Sequence, residues 1–255
     1  MAADLILDAG HGGFDNGASY MGRAEKDDVL RLTLAVGKIL QEDGYNVYYT
    51  RTDDIYHSPS EKAALANQSG GKYFISFHRN SGVEDNLYRG VQSLVFRQNE
   101  TVNRIAENIH AQLAEIGFKD LGIEEVPDLI ILRETEMPAV LVEVGFLNHD
   151  ADNRLFDEKF DQIAEAIAAG IEESIPITAQ SMPEKYYVQT GVFKYDVNAA
   201  YQLERLNMQG FEGKISSEEP YYTVRAGGAG SLDEAVELQK KLRQHGYTTL
   251  IVSEP

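Results

Sequence analysis

Cysteine is absent from the 255-residue chain, and so is tryptophan. Without thiols there is no disulfide framework, no thiolate nucleophile and no cysteine-ligated metal. Any metal site must be built from His, Glu, Asp and water, and the chain holds six histidines. Positive charge is scarce as well: 23 Lys+Arg stand against 41 Asp+Glu, for a net charge of −18. The deficit is uneven. Residues 1–172 carry 15 basic and 30 acidic residues, whereas residues 173–255 carry 8 and 11. An acidic body repels a phosphate backbone, which argues against nucleic acid and for a neutral or mixed-charge partner. No apolar run is long enough to span a membrane, and Met1 leads almost directly into a strand-like segment without the basic and apolar regions of a signal peptide. The expectation is a protein that works in the cytoplasm or leaves it by lysis or another route.

What is there alternates between two periods. Leu5–Ala9 reads as a short buried strand. "EKDDVLRLTLAVGKILQEDG" follows with acids in its first turn, apolar residues at helical spacing and a glycine stop, so it reads as a helix from Glu25. "YNVYYTR" reads as a strand, "SPSEKAALANQSG" as a helix capped by Ser58 or Ser60, and "KYFISFH" as a buried strand. Gly90–Phe96 is expected as a strand, Glu100–Gly117 as a helix, "LIIL" and Ala139–Phe146 as strands, and Phe156–Glu173 as one closing helix. This order predicts an α/β fold, a largely parallel twisted sheet with helices on both faces. Residues 1–174 form the expected first domain, and "ESIPITAQSMPEK" supplies a linker over 175–185. In residues 186–255, "YYVQTGVF" and "YYTVRAGGAG" each precede a helix, a pseudo-repeat that predicts a small ferredoxin-like βαββαβ domain.

Parallel sheets gather chemistry beyond the C-terminal ends of their strands. His11 and His78 both fall there, His11 among glycines, and Glu25 opens the first long helix. Two histidines and a glutamate with an open position make a catalytic zinc set, and such an ion brings the pKa of water to about 7. Glu143 lies inside the apolar strand "AVLVEVGF". A buried carboxylate needs a partner or a cation nearby, and this one is a candidate general base. Each residue alone also has a plainer reading. The histidines could be hydrogen-bonding residues at strand ends, Glu25 could serve the helix dipole, and Glu143 could pair with Arg79 or Arg133. Of the other histidines, His110 and His245 lie in helical patterns and are expected at the surface. His57 and His149 lie in loops from which they could touch a substrate.

Four ordered blocks, "DAGHGGFDNGA", "EKDDVLRLTLAV", "FISFHRNSG" and "MPAVLVEVGFLNHDADNRLF", resemble the signatures of the zinc-dependent N-acetylmuramoyl-L-alanine amidases of the amidase-3 family, over Asp4 to about Glu172. The resemblance implies one Zn2+ on His11, Glu25 and His78, Glu143 as catalytic carboxylate, and cleavage of the amide joining N-acetylmuramic acid to L-alanine in peptidoglycan. A cell-wall setting follows: a sporulation autolysin acting on mother-cell lysis, or a phage endolysin. Many members of that family carry an arginine before the "AN" of the second helix, where this chain has Glu61 and Lys62 nearby instead; Arg79-Asn80-Ser81 replaces the usual "ANA" after His78, and "NHD" follows "GFL". Two rivals are weighed. A zinc carboxypeptidase typically uses a His-x-x-Glu pair, but Phe14 and Ser81 stand three residues after His11 and His78. A catalytically silent wall-binding protein fits poorly with four intact core residues.

Tyr186–Val252 resembles a SPOR domain, which implies binding to peptide-free glycan strands. Strand alternation points Val188 and Val224 at the helices and leaves Tyr187, Gln189, Thr223 and Arg225 on the open sheet face. An RNA-binding domain of the same topology is disfavoured by the mild acidity and by the missing aromatic signature.

Overall fold

The computed structural model describes residues 4–176, 185–218 and 220–254. The chain divides into two compact units at Met182/Pro183. Most of the expected linker, residues 177–184, lies outside the described residues.

In the first unit the elements run β1 (Leu5–Ala9), β2 (Ser19–Tyr20), β3 (Arg23–Ala24), α1 (Glu25–Glu42), β4 (Val47–Tyr49), α2 (Pro59–Ser69), β5 (Tyr73–Asn80), β6 (Val91–Val95), α3 (Glu100–Ile116), β7 (Asp120–Glu125), α4 (Ile130–Arg133), β8 (Ala139–Phe146), α5 (Asp150–Glu158) and α6 (Phe160–Ser174). Six strands form one sheet in the order β4-β1-β5-β8-β6-β7. All neighbours are parallel except β6 and β8. Strands β1, β5 and β8 are central, and their apolar residues Leu5, Ile6, Leu7, Phe74, Ile75, Val140 and Val142 are buried, as a strand covered on both faces requires. Helices α1, α3 and α6 pack together, and α2 packs with α4 against β1 and β8.

Local signals set the boundaries. Ser58 caps α2 through a capping box with Glu61, and Gly70 ends the helix in the left-handed region at φ 67°. Glu25, Asp27 and Asp28 occupy the first turn of α1, where the helix dipole favours acids. Two expectations are corrected. "LIIL" is not a strand; Ile130–Arg133 is one helical turn with Ile131 and Leu132 buried, and four apolar residues do not fix a period. The strand lies earlier, at Asp120–Glu125, a sheet edge in which polar Asp120, Glu124 and Glu125 are exposed and Leu121, Gly122 and Ile123 are half-buried. The closing helix is two helices. Lys159 leaves helical geometry at φ −123°, and its ammonium donates to the carbonyl of Ile116 at the end of α3, 2.8 Å away.

The second unit runs β9 (Lys185–Phe193), α7 (Asp196–Met208), β10 (Gly213–Glu218), β11 (Tyr221–Ala229), α8 (Leu232–Gln244) and β12 (Leu250–Glu254). Its antiparallel sheet has the order β10-β11-β9-β12, the ferredoxin-like arrangement. Val188 and Val224 are fully buried in its core beside Leu206 and Leu242.

Helices α3 and α6 meet at Gly170. A Cβ there would sit 2.7 Å from the Cα of Ile109, a backbone atom that cannot yield without moving the helix. Gly170→Ala therefore loses about 1–3 kcal/mol to overpacking, against a gain of about 1 kcal/mol in helix propensity. A lower urea midpoint at unchanged m-value is the expected outcome; an unchanged or higher midpoint contradicts this contact.

Candidate metal centre and active site

Strand β1 ends at Ala9, and the chain then turns sharply. His11 adopts φ 58°, a left-handed conformation that costs a β-carbon-bearing residue about 1–3 kcal/mol and is held only where its surroundings enforce it. They do so here. The Gly12 and Asp15 backbones exchange hydrogen bonds at 3.0 and 3.1 Å, and Lys62 Nζ donates to the His11 carbonyl at 3.3 Å. The same ammonium donates to the Ala9 carbonyl at 2.5 Å. Arg51, 1% exposed, donates to the carbonyls of Ala9, Gly10 and Lys26 at 2.9, 2.7 and 2.9 Å. Two buried cations thus pin the backbone that presents His11.

Glu25 stands at the first position of α1, His78 near the end of β5, and both converge on His11. Glu25 Oε1 lies 2.8 Å from His78 Nδ1, and Oε2 lies 3.1 Å from His11 Nε2. The same two oxygens accept from the backbone N–H of Arg79 at 3.1 Å and of Ala18 at 2.8 Å. His11 Nδ1 is oriented by Asp15 Oδ2 at 2.8 Å. Glycines make room for this approach. A Cβ on Gly10 would fall 2.3 Å from the His78 ring, and one on Gly17 would fall 2.4 Å from Glu25 Oε2. Burial disfavours the charged form of both Glu25 and His11. The histidine contacts override it and hold the Glu25 carboxyl below its ordinary value, while Glu25 and Asp15 hold His11 above its own.

The three donors, one from each residue, all lie within 4.8 Å of one another, and theirs is the cluster of this kind among the described residues. The donors of a four-coordinate zinc site with bonds of 2.0–2.1 Å stand about 3.3 Å apart. The contacts of 2.8 and 3.1 Å run to the two different oxygens of Glu25 and lie near that spacing, and a donor set of two imidazoles and one carboxylate suits such an ion.

Glu143 pairs in register with His78 across β5 and β8. The ladder shifts register immediately beyond, between His78 and Asn80, an irregularity of the kind found beside active sites. Glu143 Oε2 is shielded from solvent and has no hydrogen-bond partner among the described residues. The two alternative partners are engaged elsewhere: Arg79 pairs with Asp28 at 2.6 Å and Arg133 with Glu134 at 3.4 Å. Burial pushes the Glu143 carboxyl up to about 7, with Glu25 adding to the rise and His78 opposing it.

Beside the cluster opens a cavity of about 320 Å³, with His11, Asp15, His57, Lys62 and His78 on its polar side and Leu129, Ile130, Ile131 and Leu141 on its apolar side. His57 therefore lines the cavity. His149 does not serve it in the same way: its ring caps α5, with Nδ1 accepting from the Ala151 N–H at 3.2 Å. His245 is exposed, as expected. His110 is not at the surface. It is 1% exposed, because the buried face of α3 continues through Ile109 and Leu113. Its Nε2 lies 2.8 Å from Ser93 Oγ and its Nδ1 lies 2.7 Å from Asp120 Oδ1. This is a serine–histidine–aspartate chain, but Ser93 is fully buried, so no substrate reaches the hydroxyl. It ties β6, α3 and β7 together.

Residues 5–173 match the family pattern described as N-acetylmuramoyl-L-alanine amidase. The chain belongs to that family. Residues 183–253 match the SPOR domain. The amidase is 32% identical over 219 residues to the sporulation-specific N-acetylmuramoyl-L-alanine amidase of Bacillus subtilis, covering 83% of each chain. It is 34% identical over 188 residues to an endolysin of Bacillus phage SPP1, covering 71% of this chain and 69% of the phage protein. Among solved structures, the N-acetylmuramoyl-L-alanine amidase from Clostridium difficile 630 superposes with a TM-score of 0.62 at 31% identity, over 67% of this chain and 95% of that one. The chain is thus a peptidoglycan amidase with a SPOR domain. Among the described residues no helix is long and apolar enough to cross a membrane.

On the open face of the SPOR sheet, Gln189 pairs with Arg225 and Tyr187 with Gly227. Thr223 does not share their accessibility. It is 7% exposed, with its hydroxyl donating to the Ser216 carbonyl at 3.4 Å. Two residues overlooked in the sequence join the face. Lys214, in register with Arg225, lies 3.9 Å over the Tyr187 ring, and Glu254 accepts from both Lys214 and Arg225. Alternation within single strands could not reveal them, because they arrive from β10 and β12.

Missed as well in the sequence was the support beneath the amidase site. Asp8, fully enclosed in β1, accepts from Thr50 Oγ1 at 2.5 Å and Ser76 Oγ at 2.6 Å and pairs with Lys62 at 3.0 Å. Burial raises the cost of its charge, yet Lys62 and the two hydroxyls hold its pKa at about 2, below the 3.8 of an ordinary aspartate. Its contribution to stability is complete above the ordinary value and is lost as the pH falls from about 4 to about 2. Urea unfolding as a function of pH should show a shallower slope over that window in Asp8→Asn than in the wild type. The variant should also be less stable at neutral pH by about 3–5 kcal/mol, because Lys62 is left buried and unpaired. Identical slopes would contradict this role.

Proposed function

We propose that the enzyme is a zinc-dependent amidase in which His11, Glu25 and His78 hold one Zn2+ and Glu143 is the proton-transfer residue. The observation that carries this reading is the buried, unpartnered Glu143 Oε2 on the strand position registered with His78. A buried carboxylate without a partner costs several kcal/mol, and a role in moving a proton beside a cation explains why it is kept. What the metal supplies when bound is Lewis acidity toward water and toward the scissile carbonyl.

The chain's own residues do the rest. Glu143 takes a proton from the attacking water, and its carboxyl, raised to about 7 by burial, suits both uptake and release near neutral pH. Returned to the alanine nitrogen, that proton lets the amide leave as an amine. Asp15 fixes the ring of His11, and Lys62 and Arg51 fix its backbone. The apolar wall of Leu129, Ile131 and Leu141 keeps one side of the cavity dry, and His57 lines it within reach of a substrate.

The SPOR domain is read as the wall anchor. Tyr187, Gln189 and Arg225, joined by Lys214, offer an aromatic ring and hydrogen-bonding groups suited to peptide-free glycan strands. Likeness to a sporulation-specific amidase and to a phage endolysin supports a wall-lytic role late in a sporulation or phage cycle.

Glu143→Gln separates binding from chemistry. The variant should bind one zinc ion per chain by elemental analysis and melt at or above the wild-type temperature, since a neutral amide removes the cost of burial. Its turnover of peptidoglycan should fall by about 10²–10⁴-fold. Wild-type release of alanine amino groups, or loss of zinc with retention of fold, would defeat the assignment.

A further inference from the structure

One feature of the amidase domain lies outside this chemistry. Phe14 is 82% exposed and Tyr56 is 37% exposed, yet their rings stack with centroids 4.1 Å apart and planes 34° from parallel. Each adjoins a residue that lines the cavity, Phe14 beside Asp15 and Tyr56 beside His57.

The pair is rigidly presented. Phe14 occupies the tip of the turn closed by the Gly12–Asp15 backbone bonds. Gly13, at φ 60°, packs so closely that a Cβ on it would fall 2.8 Å from the Tyr56 nitrogen. The Gly13 N–H donates to Asp54 at 2.7 Å, and Lys26 bridges the Gly13 carbonyl and Asp54, both at 2.8 Å. Three polar contacts thus fix the backbone at Gly13, next to a ring that buries little of its own area. An exposed aromatic whose backbone is already ordered costs little further entropy when a ligand covers it.

The surroundings select the ligand. Asp15 and Asp54 flank the aromatic pair with part-exposed carboxylates, and the Lys26 ammonium is neutralised by Asp54. An anionic peptide would be repelled there. A neutral pyranose instead offers C–H groups from its ring face to an aromatic ring and hydroxyl donors to the carboxylates. We infer that Phe14 and Tyr56 form a saccharide subsite that holds a sugar ring of the glycan strand next to the muramoyl residue being cleaved. The inference rests on the amidase reading for the identity of that strand.

The absence of tryptophan makes the test direct. Phe14→Trp, placed in the Glu143→Gln background, carries the only indole in the full chain. Titration with peptide-free glycan strands should shift and saturate its emission. A signal that stays constant up to saturating strand, in a full chain that also carries Tyr187→Ala and Arg225→Ala to remove binding through the SPOR face, overturns the subsite. Kinetics give an independent readout. Relative to wild type, Phe14→Ala should raise KM for polymeric peptidoglycan by about tenfold more than for a soluble one-sugar muramoyl peptide, with kcat on the polymer within about twofold and Phe14→Tyr restoring KM. Equal penalties on the two substrates, or none, would overturn it. Failure of the amidase reading is seen separately, as wild-type enzyme that leaves the one-sugar substrate intact.

Discussion

The Glu25 carboxylate is the junction on which the amidase domain depends. Four donors from two separate pieces of chain meet at its two oxygens: His11 and Ala18 from the loop after β1, and His78 with the Arg79 backbone at the end of β5. Its own N–H donates back to Ala18 at 2.9 Å, so the start of α1 and the glycine loop are locked reciprocally. A helix N-terminus is a favourable place for a carboxylate, and this carboxylate also gathers two imidazoles. The arrangement gathers the proposed metal ligands within 4.8 Å of one another. Preorganisation of this kind keeps small the energy lost to reorganisation during the reaction.

Beneath that junction lies a second electrostatic layer. Asp8, Lys62 and Arg51 are buried and ionisable, and none of them faces the cluster as a donor. Arg51 and Lys62 hold the backbone from Ala9 to His11 and so enforce the left-handed conformation of His11, while Asp8 pairs with Lys62. Arg79 does the corresponding work on the other side. It pairs with Asp28 of α1, reaches Asn153 of α5 at 2.8 Å and stacks over Phe156 at 4.2 Å. Lys62 and Arg79 are therefore structural supports behind the proposed ligands.

His11, His78 and Glu143 stand out in the sequence because each is chemically out of place, whereas Glu25 is ordinary at a helix start and stands out only through its block's resemblance to the amidase family. A histidine follows a buried strand twice, and a carboxylate interrupts an apolar one. The supports were not legible, since a contact between Asp8 and Lys62 joins residues 54 apart and only folding brings them together. The same limit explains Lys214 and Glu254 on the SPOR face. Helix and strand assignments failed where local pattern was weak: four apolar residues at Leu129–Leu132, a short edge strand of mixed polarity at Asp120–Glu125, and a helix break at Lys159, whose ammonium reaches the end of α3. His110 was misplaced for a related reason. Its helical position belongs to the buried face, and its polarity is satisfied by Ser93 and Asp120, which lie on strands its own sequence neighbourhood does not reveal.

The central claim is that an ion held by His11, Glu25 and His78 serves hydrolysis of the muramoyl–alanine amide. Mass-spectrometric identification of the new termini in purified peptidoglycan, digested with and without a chelator, tests it most directly. Free L-alanine amino termini should accumulate, vanish with the chelator and return when zinc is restored. New reducing sugar ends, or alanine termini released at the same rate in chelator, would contradict the account.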